Sequence, residues 1–155
     1  MPPDNWWIKL CDFGTSKSLT HDITRSTVKG TLAYMAPEVL RRVGAFKEDT
    51  TVDENKVDNK AVDMWALGEI VHRMLTGEPT FPSPLMMLRH VDSARPLPLN
   101  GLKSPQIPES AKHFVKCLMK ADPRDRMTAQ QALRHKWMKV YESLVSEILG
   151  NSTLK

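Results

Sequence analysis

Asp12-Phe13-Gly14 stands directly after an apolar run, Trp6 to Cys11, and opens a Ser- and Thr-rich stretch that reaches Lys29. Within it Thr27 is flanked by Arg25 and Lys29. The run Gly30-Thr31-Leu32-Ala33-Tyr34-Met35 then leads into Ala36-Pro37-Glu38, which begins 24 residues after Asp12. Further on come Asp63-Met64-Trp65-Ala66-Leu67-Gly68 and Asp122-Pro123-Arg124-Asp125-Arg126. Each cluster offers a side chain with chemistry. A carboxylate at a turn can hold a metal ion. A loop hydroxyl can take a phosphate, which adds nearly two negative charges. A guanidinium fits a carboxylate with two parallel hydrogen bonds. Each also has a plain reading: a strand-end turn residue, an exposed hydroxyl, a surface ion.

The elements that must carry these residues are mostly helical. Trp6 to Cys11 reads as a short strand, and Asp12 to Lys29, without periodicity, as a long loop. Ala36 to Leu40 reads as a short helix with Pro37 in its first turn. Residues 44–60 are charged and polar and read as an inserted surface loop. Val62 to Thr76 is apolar on nearly every face, the pattern of a buried helix, and Gly77 and Pro79 end it. A short helix is expected over Leu85 to Val91, between prolines. Ile107, Ala111, Phe114, Val115 and Leu118 recur at helical spacing. Thr128-Ala129-Gln130-Gln131 forms a capping box, and the helix it starts is expected to run through Ala132, Leu133 and Trp137. Val140, Leu144, Val145 and Ile148 suggest a helical tail over 139–155. Trp65 and Trp137 read as core packing.

Composition narrows the class. The chain has 155 residues, 41% hydrophobic and 26% charged, a balance typical of one soluble globular domain. Its net charge of +4 is spread among acids, without a dense basic cluster, so no nucleic-acid partner is expected, and no apolar run approaches the length of a membrane span, so no membrane partner is expected either. Cys11 and Cys117 are the only cysteines, which argues for a reducing, intracellular home, cytoplasm or nucleus.

Taken in order, the clusters resemble the serine/threonine protein kinase family. Asp-Phe-Gly followed by an activation loop and Ala-Pro-Glu is part of that family's signature, and Gly30 to Met35 looks like its serine/threonine type of substrate loop. Asp63 to Gly68 resembles the start of the central helix of the large lobe. Asp122 to Arg126, with His135-Lys136-Trp137 after it, resembles the approach to the last kinase helix. The resemblance covers roughly residues 6 to 138, within a partial kinase domain over 1–138, and implies a mainly α fold: the large lobe from the strand before Asp12 onward, with the small lobe absent.

The resemblance also implies roles. Phosphoryl transfer needs metal held on the phosphates, a residue that orients the attacking hydroxyl, and cations that neutralise developing charge. Asp12 matches the aspartate that holds Mg²⁺, with Phe13 as the apolar anchor of its turn and Gly14 as the residue that lets the backbone reverse. Cys11 would face the ATP pocket beside them. By itself it reads as a small buried apolar residue. Thr27 matches the activating phosphothreonine. Gly30, Thr31 and Tyr34 match the substrate loop, with Thr31 contacting the catalytic aspartate. Glu38 and Arg126 match a buried ion pair, and Asp63 a residue that supports the catalytic loop by accepting backbone hydrogen bonds. The implied partner is a protein substrate bearing Ser or Thr, and the implied cofactors are ATP and Mg²⁺.

The sequence departs from the pattern in three ways. Nothing before Asp12 matches the His-Arg-Asp catalytic loop, and no Gly-x-Gly pair or strand lysine is present. His72-Arg73-Met74 is no substitute, because it lies within the central helix. Glu38 and Asp63 are 25 residues apart, which makes room for the inserted loop. Arg73 falls near where arginine-directed kinases carry a glutamate, so a basic substrate is disfavoured. The expectation is therefore a truncated kinase domain without activity of its own and without tight ATP binding. It would be prone to self-association through an apolar face. The alternative is a non-catalytic binding or decoy module derived from such a lobe.

Overall fold

A computed structural model describes residues 9, 11, 32–42, 59–98 and 101–139. Five α-helices organise them: α1 (Pro37–Arg42), α2 (Asn59–Thr76), α3 (Pro84–Asp92), α4 (Glu109–Leu118) and α5 (Ala129–Leu133). Short 3-10 turns at Leu32–Tyr34, Gly101–Lys103 and Pro123–Asp125 join them. The described residues are thus mainly helical. Of the expected strand, Lys9 and Cys11 are in no regular structure, and the rest of that run lies outside the described residues.

Local chemistry sets the helix ends. Ser83 caps α3, its hydroxyl accepting from the amide of Met86, with Pro84 in the first turn. At α5 the capping box closes both ways: Thr128 N–H donates to Gln131 Oε1 at 2.8 Å, and Gln131 N–H to Thr128 Oγ1 at 3.3 Å. Gly77, at φ +77°, ends α2 in the left-handed region, which costs glycine little. Helix α5 stops at Leu133 rather than continuing to Trp137. Arg134 and His135 form a turn, and helical residues resume at 136–139. Similarly α2 starts at Asn59, so the end of the expected 44–60 loop is already helix.

The core forms where α2 crosses α4. Trp65, Leu40, Leu102, Val115 and Leu118 are fully enclosed, and Ala36, Met64, Phe114 and Met119 pack around them. Gly68 makes the crossing possible. A Cβ there would lie 2.5 Å from Met119 Cγ and 3.0 Å from Leu118 Cβ, closer than packed atoms approach. Ile107 precedes α4 rather than starting it, yet its side chain is buried in the same core.

Helix α2 is not buried on every face. Leu67, Ile70 and Met74 are 37%, 45% and 77% exposed and lie at helical spacing along one side. Apolar residues on all faces would bury the helix only if something covered each face, and among the described residues nothing covers this one. Cys11 is also exposed, which corrects its reading as a buried apolar residue. No helix of the described residues is long and apolar enough to cross a membrane.

Candidate functional site

The turn at Leu32–Tyr34 and helix α1 behind it form the best-defined candidate site. Ala36 and Pro37 are fully enclosed and anchor the turn to the core from below. Glu38, in the first turn of α1, is reached by Arg126 from 88 residues away. Arg126 Nη1 donates to Glu38 Oε1 and Nη2 to Glu38 Oε2, each at 2.6 Å. The remaining donors are also used: Nε to the carbonyl of Lys120 at 2.7 Å, Nη1 also to Ala61 at 3.0 Å, and Nη2 also to Ala121 at 3.2 Å. The guanidinium carbon stands 5.1 Å from the centre of the Trp65 ring, within cation–π range. A buried charge is tolerable when its pairing is this complete. The contact ties α1, the start of α2 and the loop before α5 into one unit.

A second arginine sits above the turn. Arg73 on α2 places its guanidinium 4.7 Å from the centre of the Tyr34 ring. Its Nε donates to Glu69 Oε1 at 2.7 Å, one helical turn back. Glu69 is buried, and it also receives the amide of Thr80 at 3.4 Å on each oxygen. The hydrogen bond to Glu69 holds the Arg73 guanidinium above its ordinary value, with smaller contributions from Tyr34. Arg73 and Glu69 border a small crevice with Leu32, Ala33, Phe81 and Met87. The surface beside Tyr34 is therefore apolar with one cationic edge, and 31% of the Arg73 side chain stays open to solvent.

The other singled-out residues are placed as follows. Asp63 lies on an exposed part of α2 and has no hydrogen-bond or ionic partner among the described residues. Partial burial of its carboxyl raises its pKa above the ordinary aspartate value. Trp65 is enclosed, and Trp137 is partly buried with its ring 4.9 Å from that of Phe114. Asp12, Phe13, Gly14, Thr27, Gly30 and Thr31 lie outside the described residues. Among the described residues no group of three His, Cys, Asp or Glu side chains could hold a metal ion.

Sequence reasoning missed two features. The Glu69–Arg73 pair was open to it, since i and i+4 face each other on a helix. The other, a contact between His113 and His135, joins residues on separate elements and left no local signal.

Comparison with known proteins places this architecture. Residues 3–138 match the family described as the protein kinase domain. The chain is 34% identical over 134 residues to the serine/threonine-protein kinase RAD53 of Saccharomyces cerevisiae, covering 86% of this chain and 16% of that protein. It is 35% identical over 149 residues to the human calcium/calmodulin-dependent protein kinase type 1B, covering 93% and 38%. The crystal structure of the Rad53 kinase domain and SCD2 in complex with AMPPNP matches with a TM-score of 0.53 at 32% identity, over 70% of this chain and 39% of that one. The chain thus spans well under half the length of these relatives. It belongs to the protein kinase family, in its serine/threonine class.

Proposed function

We propose that this chain forms the substrate-loop and helical base of a serine/threonine protein kinase domain, and that these 155 residues do not transfer phosphate by themselves. The observation that carries the reading is the double hydrogen bond between Arg126 and Glu38. It fixes α1, and with α1 the turn at Leu32–Tyr34, on the helical core. A loop that presents a substrate hydroxyl must be held that firmly, because positioning supplies much of the acceleration in phosphoryl transfer.

On this reading Gly30, Thr31 and Tyr34 belong to the substrate loop, and phosphorylation at Thr27 orders the segment before it. ATP is the phosphate donor of the complete domain, consistent with AMPPNP in the Rad53 kinase structure. Asp12, with Cys11, Phe13 and Gly14 beside it, is the one residue of this chain assigned to Mg²⁺, which neutralises phosphate charge when bound. Arg73 disfavours a basic residue in the substrate near Tyr34, since its own cation already occupies that edge. The lack of any residues matching the catalytic aspartate, the strand lysine or the phosphate-covering loop supports inactivity of the chain alone. The exposed Leu67, Ile70 and Met74 favour, as a second reading, a non-catalytic module that works by docking.

The test is phosphate incorporation into a generic protein substrate by the purified 155-residue chain with ATP and Mg²⁺. None is expected. Incorporation that disappears in Asp12→Ala would overturn the proposal of inactivity while leaving the family assignment intact.

A further inference from the structure

His113 on α4 and His135, in the turn after α5, meet through their ring nitrogens. His113 Nδ1 and His135 Nε2 are 2.9 Å apart, the ring planes are 11° from parallel, and the ring centres are 5.2 Å apart. Parallel rings at that separation could be stacked face to face. The short nitrogen–nitrogen distance decides otherwise: the rings lie edge to edge, joined by one N–H···N hydrogen bond.

The neighbours fix where the protons are. His135 Nδ1 accepts the backbone N–H of Trp137 at 3.2 Å, so it carries no hydrogen. A neutral imidazole has one N–H, so His135 bears its hydrogen on Nε2 and donates it to His113 Nδ1. His113 then carries its own hydrogen on Nε2; Cys117 Sγ, one helical turn on, stands 3.6 Å from Nε2 and 3.7 Å from Nδ1, nearly equidistant from the two and so out of line with the Nε2–H. The result is a directed chain: Trp137 N–H to His135, and His135 to His113. Each Nδ1 already accepts an N–H, so neither ring has a nitrogen free to take another proton. A proton on His135 Nδ1 would oppose the Trp137 N–H. A proton on His113 Nδ1 would oppose the His135 N–H.

We infer that the His113–His135 pair is a proton-operated latch, closed while both rings are neutral and opened when either is protonated, freeing the segment that starts at His135 from α4. The segment held is defined by its contacts. The His135 ring lies 5.0 Å from that of Phe114, and the Trp137 ring 4.9 Å from it. The turn at 136–139 takes its first hydrogen bond from the His135 ring itself.

The charged surroundings do not supply a counter-ion for an added proton. The cavity beside the pair is bordered by Glu109 and Cys117 of α4, by Asp125 of the preceding 3-10 turn, by Arg134 after α5, and by Lys136. Glu109 is paired with Lys112 at 2.7 Å, and neither it nor Asp125 is among the groups that act on the His135 ring. Arg134 and Lys136 are cations and oppose a third. In agreement, burial first and the charge of His113 second hold the His135 ring below its ordinary value. A histidine held down in the folded state leaves the contact intact above the ordinary value of about 6.5 and weakens it as pH falls below that.

The experiment uses the whole chain and needs no variant. Nitrogen-detected NMR of the imidazoles at pH 8 is expected to show both rings as Nε2–H tautomers. The exchange of the Trp137 amide, corrected for its intrinsic pH dependence, is expected to quicken about tenfold per pH unit as pH falls from about 6.5. His135→Gln is expected to lose this dependence, and His113→Phe to show fast Trp137 exchange already at pH 8. An Nδ1–H tautomer on either ring at pH 8 would overturn the inference, as would Trp137 exchange that does not change with pH. If a variant fails to fold, the tautomers and exchange of the unmodified chain still decide the question.

Discussion

Arg126 holds Glu38 with both arms of its guanidinium, Nη1 to Oε1 and Nη2 to Oε2 at 2.6 Å each, across 88 residues of sequence. The Arg126 side chain is wholly enclosed. Arg126→Ala would leave Glu38 without its partner and the carbonyls of Ala61, Lys120 and Ala121 without donors. The expected loss is about 3–5 kcal/mol of stability, read as a fall in the urea midpoint. Arg126→Lys should recover only part of it, because one ammonium cannot reproduce the paired geometry. An unchanged midpoint in Arg126→Ala would refute the structural role.

Gly68→Ala tests the α2–α4 crossing. Alanine in a helix gains about 1 kcal/mol over glycine. The new Cβ, however, would meet Met119 Cγ at 2.5 Å and Leu118 Cβ at 3.0 Å. The methionine can partly swing away, but the Leu118 Cβ is fixed to the backbone of α4, so the helices must separate. Overpacking of that kind costs about 1–3 kcal/mol. The net expectation is destabilisation of up to about 2 kcal/mol, measured by thermal unfolding; a rise in Tm would show that the crossing is looser than described.

Asp63→Asn should raise the Tm of this chain at neutral pH. Burial raises the pKa of the Asp63 carboxyl and no partner compensates it among the described residues. A raised folded-state value means the fold holds the proton more tightly than the unfolded chain does. Stability is then lost as pH rises from the ordinary aspartate value through the raised one, and stays lost above it. Asparagine removes that loss, so the gain should vanish in acid. A lower Tm at pH 7 would show instead that the carboxylate is bonded.

Ile70→Lys together with Met74→Lys should suppress self-association without weakening the fold. Both side chains are exposed on one face of α2, where an apolar patch invites partners. Light scattering against concentration checks the first part and urea unfolding the second. If the unmodified chain remains monomeric throughout, the face is not a self-association surface.

How far the sequence could be read depended on whether the determining contact was local. The capping box at Thr128 and the end of α2 at Gly77 follow from residues within one turn, and both could be read from the chain. Glu38 and Arg126 could be singled out only through resemblance to a family, since no spacing rule connects positions 88 apart. The all-round apolarity of α2 predicted burial, but composition does not say what covers a face, and Leu67, Ile70 and Met74 stand open. The break after Leu133 contains neither Gly nor Pro. It is accompanied by the ring of His135 accepting the Trp137 amide, a tertiary arrangement that propensity does not register. The substrate-loop residues split at Leu32: Tyr34 has a described partner in Arg73, whereas Gly30 and Thr31 lie outside the described residues.

The crowded approach of Met119 to Gly68 has a chemical corollary. Met119 is buried against α2, and its sulfur accepts the hydroxyl of Thr80 at 3.7 Å, while Met74 and Met86 stand in solvent. Dilute peroxide should therefore oxidise Met74 and Met86 at once and reach Met119 only when α2 and α4 part. The sulfoxide is larger and polar, and the space beside Gly68 is too tight to readmit it. Each opening caught by the oxidant would then be permanent, so the slow appearance of the Met119 sulfoxide would act as a clock for how often this lobe comes apart.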